Sequence, residues 1–308
     1  MSTTEVGIGG NREHKDTLFR KIFGIKEHKK YLLSLYNALN HSAYTNEEDL
    51  QLVTLDDVLF VSMKNDVAFL LDCEMHLYEH QSTINLNMPL RGFMYTAKLW
   101  QNWIKQNERN IYRKKLVKIP TPHYTVFYNG TEETEDRYEL HLSDAFEKPQ
   151  TDRKYEWTAE VYNINFGKNK ELMERCKALR EYAHFVQMVR IYYKECKNET
   201  EAIKKAMEEA IDQNYLNGYF KQEKEAVFMT TLWEVNRDIY ENDLREEARE
   251  EGREEGRELG IAEGREVGRT EGKIEIIFAM YQSGMPITQI ASIIKMDVKE
   301  LEKIVTDR

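Results

Sequence analysis

Two acidic side chains, Asp66 and Glu79, sit where a tight hairpin would bring them face to face. The stretch Asn65 to Thr83 reads NDVAFLLDCEMHLYEHQST. Val67 to Leu71 is a continuous apolar run, the composition of a strand buried on both faces. Asp72-Cys73 supplies a two-residue turn, although not the favoured Asn-Gly or Asp-Gly. Glu74 to Gln81 forms the return strand. A two-residue turn pairs Leu71 with Glu74, and so sets Asp66 opposite Glu79 on one face, with Cβ atoms roughly 4.5–5.5 Å apart. Strand alternation puts Gln81 on the face of Glu79 and His76 and His80 on the other. Facing carboxylates repel unless a cation lies between them. Mg²⁺ or Mn²⁺, which prefer oxygen ligands, are the natural candidates. The histidine pair suggests zinc, but no cysteine or third ligand stands at a recognisable spacing. Packing is the plainer expectation for both rings.

The elements that must hold this hairpin can be read on either side of it. His14 to Lys26 carries Leu18, Phe19, Ile22 and Phe23 at helical spacing, and Lys29 to Leu39 continues as a second helix. A first strand is expected at Val58–Val61. Met88-Pro89 opens a helix to about Asn107, since proline suits a first helical position. Its expected buried side is Leu90, Phe93, Met94, Ala97, Leu99, Trp100 and Ile104. Tyr95 and Trp103 are read as packing, and Arg91 and Lys98 as solvated or phosphate-touching. His123 to Tyr128 and Tyr155 to Ile164 read as further strands. Glu171 to Lys194, Glu199 to Asn217 and Gln222 to Tyr240 read as helices. Strands alternating with helices indicate an α/β core.

Composition then shifts. Glycines at 252, 256, 260, 264, 268 and 272 recur every four residues, among eleven acidic and seven basic side chains between 243 and 273. One reading is a flexible linker, because glycine costs a helix about 0.8–1.0 kcal/mol per residue. The other is a self-associating helix whose glycine stripe admits a partner backbone. A phosphate-cradling loop is excluded by the absent GK[ST] ending. Ile274 to Ser283, Pro286 to Lys295 and a helix capped by Asp297 and Glu300 complete the chain. Their spacing resembles a helix-turn-helix, with Lys295 and Lys299 as its few basic residues.

The chain has 308 residues, 32% of them charged, and a formal net charge of −10. That balance argues against a strong general grip on DNA phosphates and leaves room for a local basic groove. No signal peptide or membrane span is read. The three cysteines lack CxxC spacing and read as reduced thiols, so a cytoplasmic location is expected.

Asp66, then Glu79-His80-Gln81, then STINLNMPLR resembles the PD-(D/E)XK nuclease family transposases, also called recombination-promoting nucleases. HKDTLFRKIFG at 14–24, TVFYNG at 125–130, VYNIN at 161–165 and the glycine-repeat tail extend the resemblance over most of 12–308. It implies a restriction-endonuclease-like mixed sheet flanked by helices, with an all-α C-terminal extension. The divisions it implies are a disordered 1–11, a core at 12–196, a helical extension at 197–242, the repeat at 243–273 and a terminal module at 274–308. It also implies Mg²⁺- or Mn²⁺-dependent cleavage of DNA phosphodiesters, linked to recombination or mobile elements. Asp66, Glu79 and the His80 backbone carbonyl would hold the ion. Gln81 would orient the attacking water in place of the usual lysine. Asp16 and Lys21 match accessory positions, and a homodimer through the C-terminal helices is expected. The alternatives are a lapsed DNA-binding or regulatory protein on the same fold, or an interaction protein using the tail.

Overall fold

The computed structural model describes residues 17–53, 66–149 and 154–306. The expected disordered N-terminus, the strand at Val58–Val61 and Asp16 lie outside the described residues. The chain divides into two units, one through Asp238 and one from Ile239 onward.

The first unit is built on a six-stranded sheet. Its strands are β1 (Gln51–Leu52), β2 (Val67–Leu71), β3 (Glu74–Gln81), β4 (Thr121–Tyr128), β5 (Arg137–His141) and β6 (Thr158–Asn163), in the order β1-β2-β3-β4-β6-β5. β2 and β3 are antiparallel, with Leu71 opposite Glu74 and Val67 opposite Tyr78, the register a two-residue turn requires. Asp72 and Cys73 both take positive φ, 47° and 64°, as a type I′ turn demands. The Tyr44 hydroxyl donates to the Asp72 carboxylate and helps hold that turn. β3, β4 and β6 run parallel, and β5 returns antiparallel at the edge. The sheet is therefore mixed, as expected, and β5 is a strand that the apolar pattern does not announce. Its side chains alternate between exposed and half-buried, so no apolar run marks it.

Helices cover both faces. α1 (Leu18–Phe23), α2 (Lys29–Asn40), α4 (Lys170–Arg175), α5 (Lys177–Cys196), α6 (Glu199–Asp212) and α7 (Tyr219–Gln222) share one core with Val67, Phe69, Leu71, Tyr78 and Phe127. α1 contributes Leu18, Phe19, Ile22 and Phe23, all fully buried, at about 1.5–3 kcal/mol each before conformational entropy is charged. It is shorter than the helix expected at His14–Lys26. Its N-terminus is closed by the Thr17 hydroxyl, which accepts from Arg20 N–H at 3.2 Å, and by Glu234, which accepts from Leu18 N–H at 3.2 Å. The long helix expected at Glu171–Lys194 is broken at Cys176, whose backbone is extended.

α3 (Met88–Gln106) covers the other face, over Ala68, Met75, Leu77, Tyr124, Val126 and Val161. Its buried side differs from the expected one. Gly92, Tyr95, Thr96 and Leu99 face the sheet, whereas Leu90, Phe93 and Met94 are exposed. Gly92 sets this rotation. A Cβ there would stand 2.8 Å from Cγ of Tyr124 and closer still to the ring edge, so α3 can approach β4 only where it has no side chain.

α8 (Lys224–Gln282) begins in the first unit and continues through all six repeat glycines as one helix. The repeat is thus helical and not an irregular linker. In the second unit, Ile277 of α8 packs with Ile290 and Ala291 of α9 (Ile287–Ile294) and Leu301 of α10 (Val298–Thr306) around a small core. Gly284, at φ 85°, makes the turn after α8. Asp297 accepts from Lys299 N–H at 2.9 Å, which caps α10. Among the described residues, no helix is long and apolar enough to cross a membrane.

Candidate active site

The hairpin register brings Asp66 to the end of β2, level with Glu79 on β3. Asp66 Oδ2 accepts from the His80 backbone N–H at 2.7 Å. The Asp66 backbone N–H in turn donates to the Glu79 carboxylate. Glu79 is 3% exposed. Its Oε1 accepts from Arg91 Nη2 of α3 at 2.6 Å, and the same nitrogen lies 3.2 Å from the Tyr95 hydroxyl. Its Oε2 is buried with no hydrogen-bond partner among the described residues.

Burial is the largest influence on both acids. It pushes the Glu79 carboxyl up to about 8, with the neighbouring Asp66 adding to the rise and Arg91 opposing it. Burial likewise raises Asp66 to about 6, against the His80 N–H and the charges of Arg20, Arg91 and Arg237. Glu234, which caps α1, is raised to about 8 by burial, with Arg237 opposing. Enclosed carboxylates of this kind take their charged form only when cations compensate them.

A divalent ion fits the donor set. Two carboxylates stand together, one with an orphaned buried oxygen. The Gln81 carbonyl accepts from Asn129 N–H of the β4 side at 2.8 Å. Alternation along β3 then directs the His80 carbonyl toward the β2 side, where Asp66 lies. The His80 imidazole is not a ligand. It lies on the opposite face, stacked on Phe19 at 5.2 Å, with Nε2 2.9 Å from the Tyr182 hydroxyl. Burial, then Arg237 and Arg190, pull it down to about 3, so the ring is neutral. Gln81 is half-buried on the Glu79 face, and its amide bonds to no described residue. Lys21 makes no hydrogen bond or ion pair with either acid among the described residues; from α1 it is Arg20 whose charge reaches Asp66.

Arginines surround this end of the sheet, and the places of Arg190 and Arg237 are not announced by the sequence pattern. Arg91, expected to be solvated or phosphate-touching, is an ion-pair partner of Glu79 with a side chain only 30% exposed. Arg190 donates to Asn165 Oδ1 at 2.8 Å, to Asn129 Oδ1 at 3.2 Å and to the Asn129 carbonyl, tying together the segments that follow β4 and β6. Its place in the apolar run Phe185 to Ile191 was the one readable signal. Arg237 lies over the Trp233 ring at 4.9 Å and donates to Ser82 Oγ at 3.3 Å, while Ser82 donates to Asp238 at 3.0 Å. All of these groups gather at the carboxyl ends of β3, β4 and β6, where open α/β sheets hold their ligands.

The chain matches no family model, no curated protein and no solved structure.

Proposed function

We propose that the first unit is a metal-dependent nuclease on a restriction-endonuclease-like sheet, cleaving DNA phosphodiesters with Mg²⁺ or Mn²⁺. The observation that carries this reading is the buried, unpartnered Oε2 of Glu79 beside Asp66. A buried oxygen without a partner calls for one, and a cation shared with Asp66 would supply it.

Asp66, Glu79 and the His80 carbonyl would hold the ion. When bound, it would polarise a phosphoryl oxygen and acidify a coordinated water. The rest falls to the chain's own side chains. The Gln81 amide, on the same face as Glu79, accepts from and orients the attacking water. Arg91 holds Glu79 in place through Oε1 and leaves Oε2 for the ion. Arg20 and Arg237 contribute positive charge that offsets the substrate phosphate. Hydrolysis forms one phosphorus–oxygen bond to water, breaks one to the sugar oxygen, and returns a proton to that leaving oxygen. Gln81 brings no charge where the nuclease motif usually has lysine, a substitution the resembled family carries, so the ion would bear more of the electrostatic load.

Plasmid nicking tests the reading. Wild type should nick with Mg²⁺ and not with chelator, and Asp66→Asn and Glu79→Gln should each lose at least about a hundredfold. Equal nicking by both variants overturns the site. Absence of nicking under either metal favours a second reading, a lapsed fold that still binds DNA, for which the Arg91 grip on Glu79 is the supporting observation. We further propose a cytoplasmic homodimer formed through the C-terminal helices.

A further inference from the structure

At the other end of β3, a second group of potential ligands converges on the opposite face of the sheet. Glu74 and His76 are two apart on β3, so both side chains point the same way. His123 of β4 is the direct neighbour of His76 in the parallel register. His76 Nε2 lies 3.2 Å from Glu74 Oε2, and His123 Nε2 lies 3.6 Å from Glu74 Oε1. The three ligand atoms all fall within 4.8 Å of one another. Ligands bound to zinc at 2.0–2.2 Å in a tetrahedron stand roughly 3.3–3.6 Å apart, so the spacing is close to that of a site before the ion contracts it. Five residues of strand, roughly 16 Å, separate Glu74 from Glu79. This cluster is distinct from the acidic pair.

The surroundings hold His76 in place and bear on Glu74. The His76 ring is 2% exposed and sits between Phe69, stacked at 5.1 Å, and His123, stacked at 4.6 Å. Tyr36 meets it edge-on at 4.9 Å, and the Tyr36 hydroxyl donates to Glu74. Outer hydrogen bonds of this kind orient a ligating carboxylate. With their planes only 8° apart the two rings do not aim at one point as they lie, and the partly exposed His123 ring must turn to bring its Nε2 onto a cation held by His76 and Glu74. His123 and Glu74 are partly exposed, which leaves a side of the cluster open to solvent.

We propose that Glu74, His76 and His123 form a three-ligand site for a borderline transition-metal ion, Zn²⁺ first, with an open fourth position. Two imidazoles and one carboxylate make a donor set suited to zinc and poorly suited to Mg²⁺ or Ca²⁺. The open position would take water or a small anionic group. The site does not depend on the nuclease reading.

Co²⁺ and Zn²⁺ are the probes. Full-length protein, stripped with chelator and held in excess Mg²⁺, is titrated with Co²⁺ while its visible absorption is followed, and Zn²⁺ is then added as competitor. One equivalent of Co²⁺ should give ligand-field bands that Zn²⁺ abolishes. His123→Gln and Glu74→Gln should each weaken binding about tenfold or more, while Asp66→Asn leaves the bands unchanged. Both substituted side chains are partly exposed, and circular dichroism verifies the fold. The His76 and His123 ring ¹⁵N resonances should shift on Zn²⁺ addition. Unmoved resonances in wild type, or folded variants that bind Co²⁺ as wild type does, overturn the proposal and leave a hydrogen-bonded histidine cluster.

Discussion

Arg91 holds Oε1 of Glu79 at 2.6 Å while the other oxygen of the same carboxylate is buried without a partner. The ion pair therefore compensates half of a buried acid. Arg91 opposes the rise of both acids, and Arg20 and Arg237 that of Asp66, but burial outweighs them and both acids stay raised. The arrangement is stable enough to fold and is left short of positive charge in one place.

That shortage sets a pH dependence. Glu79 has an ordinary value of 4.5 and a folded value of about 8. Between them the folded chain keeps a proton that the unfolded chain has released. Stability should therefore fall as pH rises through this window, on the order of 4 kcal/mol. Asp66, raised from 3.8 to about 6, adds to the slope at the acid end. Urea unfolding at pH 5 and pH 8 measures it. Glu79→Gln should flatten the curve, and saturating Mg²⁺ should flatten it in wild type. A wild-type curve that rises toward pH 8 without metal contradicts the assignment.

Replacing the cation exposes the same imbalance. Arg91→Met leaves Glu79 enclosed with no counter-charge and should cost about 1–3 kcal/mol, less than for a fully buried pair because the arginine is 30% exposed. The double variant Arg91→Met with Glu79→Gln should recover most of that loss, since Asp66, which Arg20 and Arg237 also offset, is then the remaining acid of the pair. Denaturant midpoints of the four proteins form a cycle. Additive losses would show that the pair is not coupled.

The hairpin was legible because parity leaves little choice. An apolar run, a two-residue turn and a polar strand end fix which residues share a face, and the observed register follows. The arginine environment was not legible. α3 carries apolar side chains on most of its circumference, so Leu90, Phe93 and Met94 make as good a stripe as Tyr95 and Leu99. What decides between them is the contact of Gly92 with Tyr124, a residue more than thirty positions away. The Glu74–His76–His123 group failed to show for a related reason. Their spacing pairs His76 with His80 along one strand, but the second imidazole of the cluster arrives across the parallel β3–β4 ladder.

Gly92 is the position where that packing is most exposed to test. Any Cβ meets the Tyr124 ring, which is 4% exposed and packed in the core beneath α3. Gly92→Ala should cost about 1–3 kcal/mol by overpacking. It should also displace Arg91 from Glu79, so the pH slope steepens as well as the midpoint falling. A Gly92→Ala protein with wild-type stability would mean that α3 is not seated as described.

The repeat glycines should behave oppositely. A Cβ at Gly256, Gly260 or Gly264 meets nothing within 4 Å in the single chain, and α8 runs helical through all three. Changing them to alanine should therefore stabilise that stretch, by about 0.8–1.0 kcal/mol per residue in an exposed helix. Helix content by circular dichroism reads this directly. In the proposed dimer the same stripe gives a partner backbone its closest approach, so the triple alanine variant should be more helical and yet dissociate at higher protein concentration. Sedimentation velocity separates the two effects. A variant that gains helix and associates as wild type does would assign the glycines no part in the dimer contact.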